Sequence, residues 1–269
     1  MNWKKLAPQV CSLAQQAGQV ILEVYEAHCR SGISVSRKTD DSPLTQADQW
    51  AHAVICEGLQ RLTPEIPVVS EEDAQSWRWR TPVGSFWLVD PLDGTKEFLD
   101  KNGEFTVNMA LITNGEPVWG VVYAPVPDHM YWGGQGEGAH WRTSSETTPI
   151  RVADRPERCR VVASKSHLSP ETLAFIQGLE SPDWVQVGSS LKFCLIASGQ
   201  AHVYPRLSPT CEWDTAAAQA VVEGAGGFVQ DMDGVRLRYG KGDVLNPHFI
   251  AACLPWTDLC RQPRTNHPQ

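Results

Sequence analysis

The chain has 269 residues, 42% hydrophobic and 20% charged, enough apolar material for a substantial core in one large domain or two modest ones. Its net charge of −8 and isoelectric point near 5.5 disfavour attraction to a nucleic acid polymer, which calls for a basic face. A small anionic substrate would need local positive groups or metal ions. The eight cysteines are irregularly spaced with no CxxC pair, so zinc-knuckle and thioredoxin-type chemistry are unsupported and reduced thiols are expected.

In chain order, Leu6, Val10, Leu13, Ala17, Val20, Ile21 and Val24 recur at helical spacing and predict an amphipathic first helix. Gln15, Gln16 and Glu23 interrupt it, which argues against a signal peptide. No segment approaches about 18 uninterrupted apolar residues, so no transmembrane helix is expected. The expected address is the cytoplasm, with peripheral association at the inner face of the membrane as the variant of that reading. A strand-like piece and polar loop follow in "SGISVSRKTDDSPLTQAD", then a second helix with Ala47, Trp50, Ala51, Val54, Ile55 and Leu59 on its apolar face. "IPVVSEED" reads as a strand running into an acidic loop, and Phe86 to Val89 as the next strand.

Apolar runs at 105–112 and 117–124 flank Asn114-Gly115 and predict an antiparallel hairpin, and "HMYWGGQGEGAHWRT" adds two more short strands. The first half is therefore helices plus a mainly antiparallel sheet. The Ser/Thr-rich stretch at 143–149 suggests a boundary, giving domains 1–146 and 147–269. Beyond it come a strand in "RCRVVASKSH", a helix opening at Ser169-Pro170, a strand in "WVQVGSS", and then helix 190–199, strand 201–205, helix 214–225 and strand 227–231. That alternation predicts an α/β second half.

The chemistry concentrates at acidic positions. In "FWLVDPLDGTKEF" Asp90 and Asp93 flank Pro91, which prevents a regular helix and fixes a bend able to aim two carboxylates at one spot. Carboxylates so close repel, and a divalent cation relieves the repulsion. Mg²⁺ takes oxygen ligands, so the Leu92 carbonyl is a candidate as well. Gly94 and Thr95 open a helical turn whose free N–H groups can seat an anion. The alternative is a simple turn, since Asp, Pro and Gly all favour one. Glu71, at the end of "VVSEED", and Asp214, at the head of "WDTAAAQAVVEGAGG", are further candidates. Glu72 and Asp73 read as solvated, and Asp214 is equally suited to a helix N-cap. Asp48 fits the last position of a capping box begun by Thr45. Turned toward the metal site instead, it could work with Thr95 to deprotonate a water.

The motifs "SEED", "WLVDPLDGT" and "WDTAAAQAVVEGAGG", in that order over nearly the whole chain, resemble the inositol monophosphatase superfamily of metal-dependent, lithium-sensitive phosphatases. That resemblance implies a layered αβαβα sandwich, of mixed α+β and α/β character, with two or three Mg²⁺ ions. It carries over Glu71, Asp90, Asp93, Asp214 and the Leu92 carbonyl as metal ligands, which also border the substrate. Gly94 and Thr95 become the seat of the scissile phosphate, and Asp48 and Thr95 the water-activating pair. Asp40 and Asp41 read as solvated loop charges.

Within the superfamily, "DGTKEFLDKNGEF" and "GSSLKFCLIASGQAHVYPRLSPTCEWDTAAA" are similar to the 3′(2′),5′-bisphosphate nucleotidases. The implied substrate is a small nucleotide bisphosphate, adenosine 3′,5′-bisphosphate, which would lose its 3′-phosphate to water without a protein nucleophile. Its retained 5′-phosphate would fall to Lys165, His167, Ser189, Lys192 and Arg206, because Arg206 stands where inositol-directed members favour an acidic residue suited to sugar hydroxyls. Trp87 and Trp213, beside the acidic motifs, read as packing residues that stiffen the ligand loops. Alternatives are an inositol or sugar phosphatase of the same superfamily and a noncatalytic metal- or nucleotide-binding sensor. "GGQGEGAHWRT" lacks the helix a dinucleotide fingerprint needs, "DMDG" at 231–234 lacks the other ligands of a calcium loop, and the eight histidines show no evident triad partner. No oligomeric state is implied.

Overall fold

The computed structural model describes residues 2–31, 36–37, 43–44, 46–179 and 182–259; the loop charges Asp40 and Asp41 and the N-cap candidate Thr45 lie outside them. Helix α1 (Trp3–Ser31) and, after the short antiparallel pair β1 (Ser36–Arg37) and β2 (Pro43–Leu44), helix α2 (Gln46–Leu62) form one outer layer. The stripe on α1 is buried at Val10, Ala14, Ala17 and Ile21, as its periodicity requires. On α2 the buried face runs through Ala47, Ala51, Ile55 and Leu59 but leans toward Asp48. Trp50, expected inside, is 44% exposed. The reason for that correction is rotational, since the i, i+4 stripe and Asp48 point into the protein from the side opposite Trp50.

Beneath these helices lies a seven-stranded sheet of β3 (Val68–Ser70), β4 (Ser85–Asp93), β5 (Thr106–Thr113), β6 (Glu116–Ala124), β7 (His129–Gly134), β8 (Gly138–Arg142) and β9 (Thr147–Ile150), in sequential order. A 3₁₀ turn at Ser76–Trp79 and the short helix α3 (Thr95–Leu99) interrupt the chain without entering the sheet. Only β3 and β4 are parallel; every later neighbour is antiparallel. Asn114 and Gly115 both take positive φ (52° and 76°), which gives the β5–β6 hairpin its tight turn. The sheet continues through Thr147–Ile150, inside the stretch expected to separate two halves.

The second sheet uses β10 (Arg160–Ser164), β11 (Asp183–Val187), β12 (Val203–Arg206), β13 (Phe228–Asp231) and β14 (Phe249–Ala252) in the order β11-β10-β12-β14-β13. The expected alternation holds, with helices α4 (Pro170–Gln177), α5 (Leu191–Ala197) and α6 (Glu212–Gly224) between strands. It does not make the sheet parallel. Strand β14, not anticipated from the sequence, inserts antiparallel between β12 and β13. The turn at 231–234 is a tight connection, Asp231 Oδ1 accepting from the N–H groups of Asp233 and Val235 at 3.0 and 2.8 Å.

Three apolar clusters separate the layers. One joins α1 and α2 to the seven-stranded sheet, one fills the space between the sheets around α5 and α6, and one packs α4 and α7 (Trp256–Leu259) on the outer face of the five-stranded sheet. The result is the αβαβα sandwich. Helix α6 approaches the first sheet so closely that a Cβ on Gly120 would lie 2.4 Å from the Ala217 carbonyl oxygen. Small residues along Ala216, Ala217, Ala218 and Ala220 allow that contact, which carries the head of α6 to the open end of β4. No helix among the described residues is long and apolar enough to cross a membrane.

Candidate active site

Asp90 and Asp93 are not beyond a strand end, as the sequence suggested, but inside an extended β4. Residues three apart on a regular strand point to opposite faces. Here Asp90 pairs with Asn108 and Asp93 with Thr106, so three steps on β4 match two on β5. The extra residue is a bulge, and it returns both carboxylates to the same side. Pro91 is tolerated because pairing with β3 stops at Val89. Asp90 Oδ1 accepts from the Leu92 N–H at 3.1 Å, which tightens the bend. Gly94 follows with φ 97°, a left-handed conformation, and starts α3.

Glu71 enters from the end of β3, its N–H donating to the Val89 carbonyl at 3.1 Å. Asp214 enters from the first turn of α6. Cys211, not Asp214, is the N-cap; Asp214 occupies the third helical position, where its Oδ2 accepts from the Cys211 N–H at 2.8 Å. Carboxylate oxygens of Glu71, Asp90 and Asp214 all lie within 4.8 Å of one another. Asp48 is buried at the start of α2 and its charge reaches Asp90.

Burial first, then the charges of Glu71, Asp93, Asp214 and Asp48, pushes the Asp90 carboxyl well above its ordinary range. Asp214 is raised by burial, Glu71 and Asp93. Asp93 is raised by burial, partly opposed by the Lys192 ammonium and a hydrogen bond with Ser190. A cluster of this kind has oxygen donors only, little solvent and mutual repulsion, which is the chemistry of a hard divalent cation site. The donors present therefore fit Mg²⁺.

A cavity of about 460 Å³ opens over the cluster. Its lining combines the acidic set Glu71, Asp90, Asp93 and Asp214, with Leu92, Gly94 and Thr95 beside them, and a second set of Ser189, Lys192, Arg206 and His167; the Lys192 charge is felt at Asp93 and the Arg206 charge at Asp214. Lys165, proposed alongside them, does not line it and pairs with Glu104 at 3.3 Å. Its exposed position beyond β10 explains why. Lys192 is buried, donates to the Ser189 carbonyl and lies 5.4 Å from the Tyr204 ring centroid; burial lowers its pKa to about 8. His167 is lowered to about 4 by burial and by the charges of Lys96 and Arg206. Two buried polar atoms of lining residues, Ser189 Oγ and Arg206 Nε, have no hydrogen-bond partner.

Several residues here were not singled out from the sequence. Asn108 Nδ2 donates to Ser190 Oγ at 3.0 Å, and Ser190 Oγ donates to the Asp214 carbonyl at 3.0 Å, linking β5, the head of α5 and α6. The only signal was a polar Asn within the apolar run "TVNMALI". Lys96 Nζ meets His167 Nε2 at 3.0 Å, a contact between distant segments that no local pattern announces. His52 has Nδ1 2.8 Å from Ser70 Oγ and braces the strand that presents Glu71. Trp87 is fully buried and donates to Thr63 Oγ1 at 2.9 Å, while Trp213 packs on Trp77 with centroids 5.0 Å apart. Both are packing residues.

Residues 2–258 match the inositol monophosphatase family. The chain is 50% identical over 244 residues to the 3′(2′),5′-bisphosphate nucleotidase CysQ of Salmonella typhimurium, covering 90% of this chain and 97% of that one. It is 49% identical, with the same coverage, to the enzyme of that name from Escherichia coli K12. Among solved structures, CysQ from Bacteroides thetaiotaomicron superposes with a TM-score of 0.80 at 38% identity, covering 94% of this chain and 98% of that one. With fold, acidic cluster and sequence all in agreement, the chain belongs to the inositol monophosphatase family.

Proposed function

We propose that the protein is a Mg²⁺-dependent phosphomonoesterase that removes the 3′-phosphate of adenosine 3′,5′-bisphosphate, giving AMP and inorganic phosphate. The observation that carries this reading is one cavity lined both by the Glu71, Asp90 and Asp214 cluster and by the cationic side chains of Lys192 and Arg206. The relatives named as 3′(2′),5′-bisphosphate nucleotidases support it.

Glu71, Asp90, Asp93, Asp214 and the Leu92 carbonyl would hold two or three Mg²⁺ ions, which when bound would supply positive charge to a phosphoryl group and acidity to water. The opening turn of α3, at Gly94 and Thr95, receives the phosphate oxygens. Asp48, buried beside Asp90, works with the Thr95 hydroxyl to orient the attacking water and take its proton. Water is the nucleophile and attacks in line with the 3′-oxygen, which departs with a proton from solvent as the 3′-hydroxyl of AMP, so no side chain becomes phosphorylated. Ser189, Lys192 and Arg206 take the 5′-phosphate, giving Ser189 Oγ and Arg206 Nε the partners they lack in the protein alone. The location proposed with this activity is the cytoplasm.

The test is phosphate release from a panel of adenosine 3′,5′-bisphosphate, its 2′-isomer, 3′-AMP and inositol 1-phosphate, each with Mg²⁺ and with chelator. The expected result is Mg²⁺-dependent release with clear preference for the bisphosphates. Preference for inositol 1-phosphate would overturn the substrate, and full release in chelator would overturn the metal.

A further inference from the structure

A second assembly, of mixed charge, adjoins the acidic cluster through the head of α6. Glu212, two residues before Asp214, is completely buried. Its carboxylate accepts from Arg80 Nη1 at 3.2 Å, from Lys241 Nζ at 2.6 Å, and from the N–H groups of Gly240 and Lys241 at 3.0 and 3.1 Å. Arg80 is itself buried, and its Nη1 also reaches the carbonyl of Lys241 at 2.7 Å. A fully buried carboxylate is costly unless saturated by charge-assisted partners, and this one receives four.

The connections give the assembly a direction. Arg80 directly follows the 3₁₀ turn carrying Trp77, whose Nε1 donates to the Ser70 carbonyl at 2.9 Å, the residue before Glu71. Trp77 also packs on Trp213, the residue before Asp214. On the other side, Asn246 binds the Cys211 carbonyl at 2.7 Å, so the 240–246 segment straps the head of α6. The segments bearing Glu71 and Asp214 are thus joined twice behind the cavity, by a tryptophan pair and by the Arg80–Glu212–Lys241 cluster.

We propose that Arg80, Glu212 and Lys241 form a positioning clamp that sets the separation of Glu71 and Asp214 and thereby tunes divalent-cation affinity. The clamp works against the repulsion between those carboxylates in the metal-free protein, which would otherwise drive the two segments apart. Groups that orient metal ligands typically change metal affinity by about 10- to 100-fold when removed. This inference rests on the cation-binding reading above.

The experiment is direct Mn²⁺ binding, without substrate, followed by electron paramagnetic resonance in the wild type and in Glu212→Gln, Lys241→Met and Arg236→Met, with Mg²⁺-dependent turnover alongside. Arg236 is the control, because it ties Glu223 and Glu116 together at the far end of α6. Glu212→Gln should weaken Mn²⁺ binding by about tenfold or more. It should raise the Mg²⁺ concentration for half-maximal rate in parallel, with turnover at saturating Mg²⁺ near wild type. Lys241→Met, at a partly exposed side chain that can be truncated without opening the core, should act in the same direction. Arg236→Met should lower melting temperature without altering Mn²⁺ affinity. Unchanged Mn²⁺ affinity in both clamp variants, or equal weakening by Arg236→Met, overturns the clamp. A wild type that binds no Mn²⁺ would instead remove the cation site on which it rests.

Discussion

The two sets of side chains that line the cavity carry opposite charge but share one physical condition. In the acidic set, three carboxylates, from the end of β3, from β4 and from α6, converge within 4.8 Å, and burial with mutual repulsion raises Asp90 and Asp214. In the basic set, burial lowers Lys192 to about 8, and Ser189 Oγ and Arg206 Nε have no hydrogen-bond partner. Each set is buried at a cost in the protein alone that a ligand of opposite sign relieves. A site of this sort sacrifices folding stability for binding, and the sacrifice can be measured separately for each set.

The largest effect is expected in the acidic set. Asp90→Asn should lower Mg²⁺-dependent turnover by about a thousandfold or more, roughly 4 kcal/mol of transition-state stabilisation. It should also raise the melting temperature of the metal-free protein, since it deletes a repelled charge. Steady-state kinetics and calorimetry in chelator check the two halves of that statement. The pH dependence follows by linkage. Asp90 has a folded pKa above its unfolded value, so the stability it contributes is complete below the unfolded value, about 3.9, and is lost as pH rises through the raised folded value. Denaturant titrations of the metal-free protein should show stability falling with rising pH from this cluster, and Mg²⁺ should suppress the fall.

In the basic set the expected effect is smaller and falls on recognition. Arg206→Met should raise KM for adenosine 3′,5′-bisphosphate by about 10- to 100-fold while leaving 3′-AMP nearly unchanged, because only the bisphosphate uses that charge-assisted bond. Comparable loss with both substrates would mean that Arg206 serves the fold rather than the second phosphate. His167, lowered to about 4, binds its proton later in the folded than in the unfolded chain. Its contribution is present above the unfolded value of about 6.5 and is lost as pH falls from there through the folded value. His167→Gln should flatten the stability profile across that window, as read by denaturant titration.

The smallest effect concerns Ser189, which holds a left-handed φ of 44° at the cavity wall. Ser189→Gly should stabilise the protein by about 1 kcal/mol and weaken substrate binding, exposing strain retained for recognition. A loss of stability would show that the conformation is unstrained.

The convergence of carboxylates was readable in the sequence because "WLVDPLDGT" concentrates two of them in a few residues and because Glu71 and Asp214 sit beside recognisable element boundaries. The bulge that brings Asp90 and Asp93 to one side was not readable, since it depends on pairing with Asn108 and Thr106 fifteen or so residues away. The same holds for Lys96 against His167 and for Arg80 against Glu212, contacts across 71 and 132 residues. Local periodicity found the helices and the β5–β6 hairpin. It missed β14 because a four-residue strand, Phe249–Ala252, between irregular segments offers no period to count.

The most direct test is an anomalous difference map from a crystal of the protein grown with Mn²⁺. A peak bounded by the carboxylates of Glu71, Asp90 and Asp214, absent in Asp90→Asn, is the predicted result. A map with no density among those three side chains, in a crystal whose protein releases phosphate under the same conditions, would contradict the account.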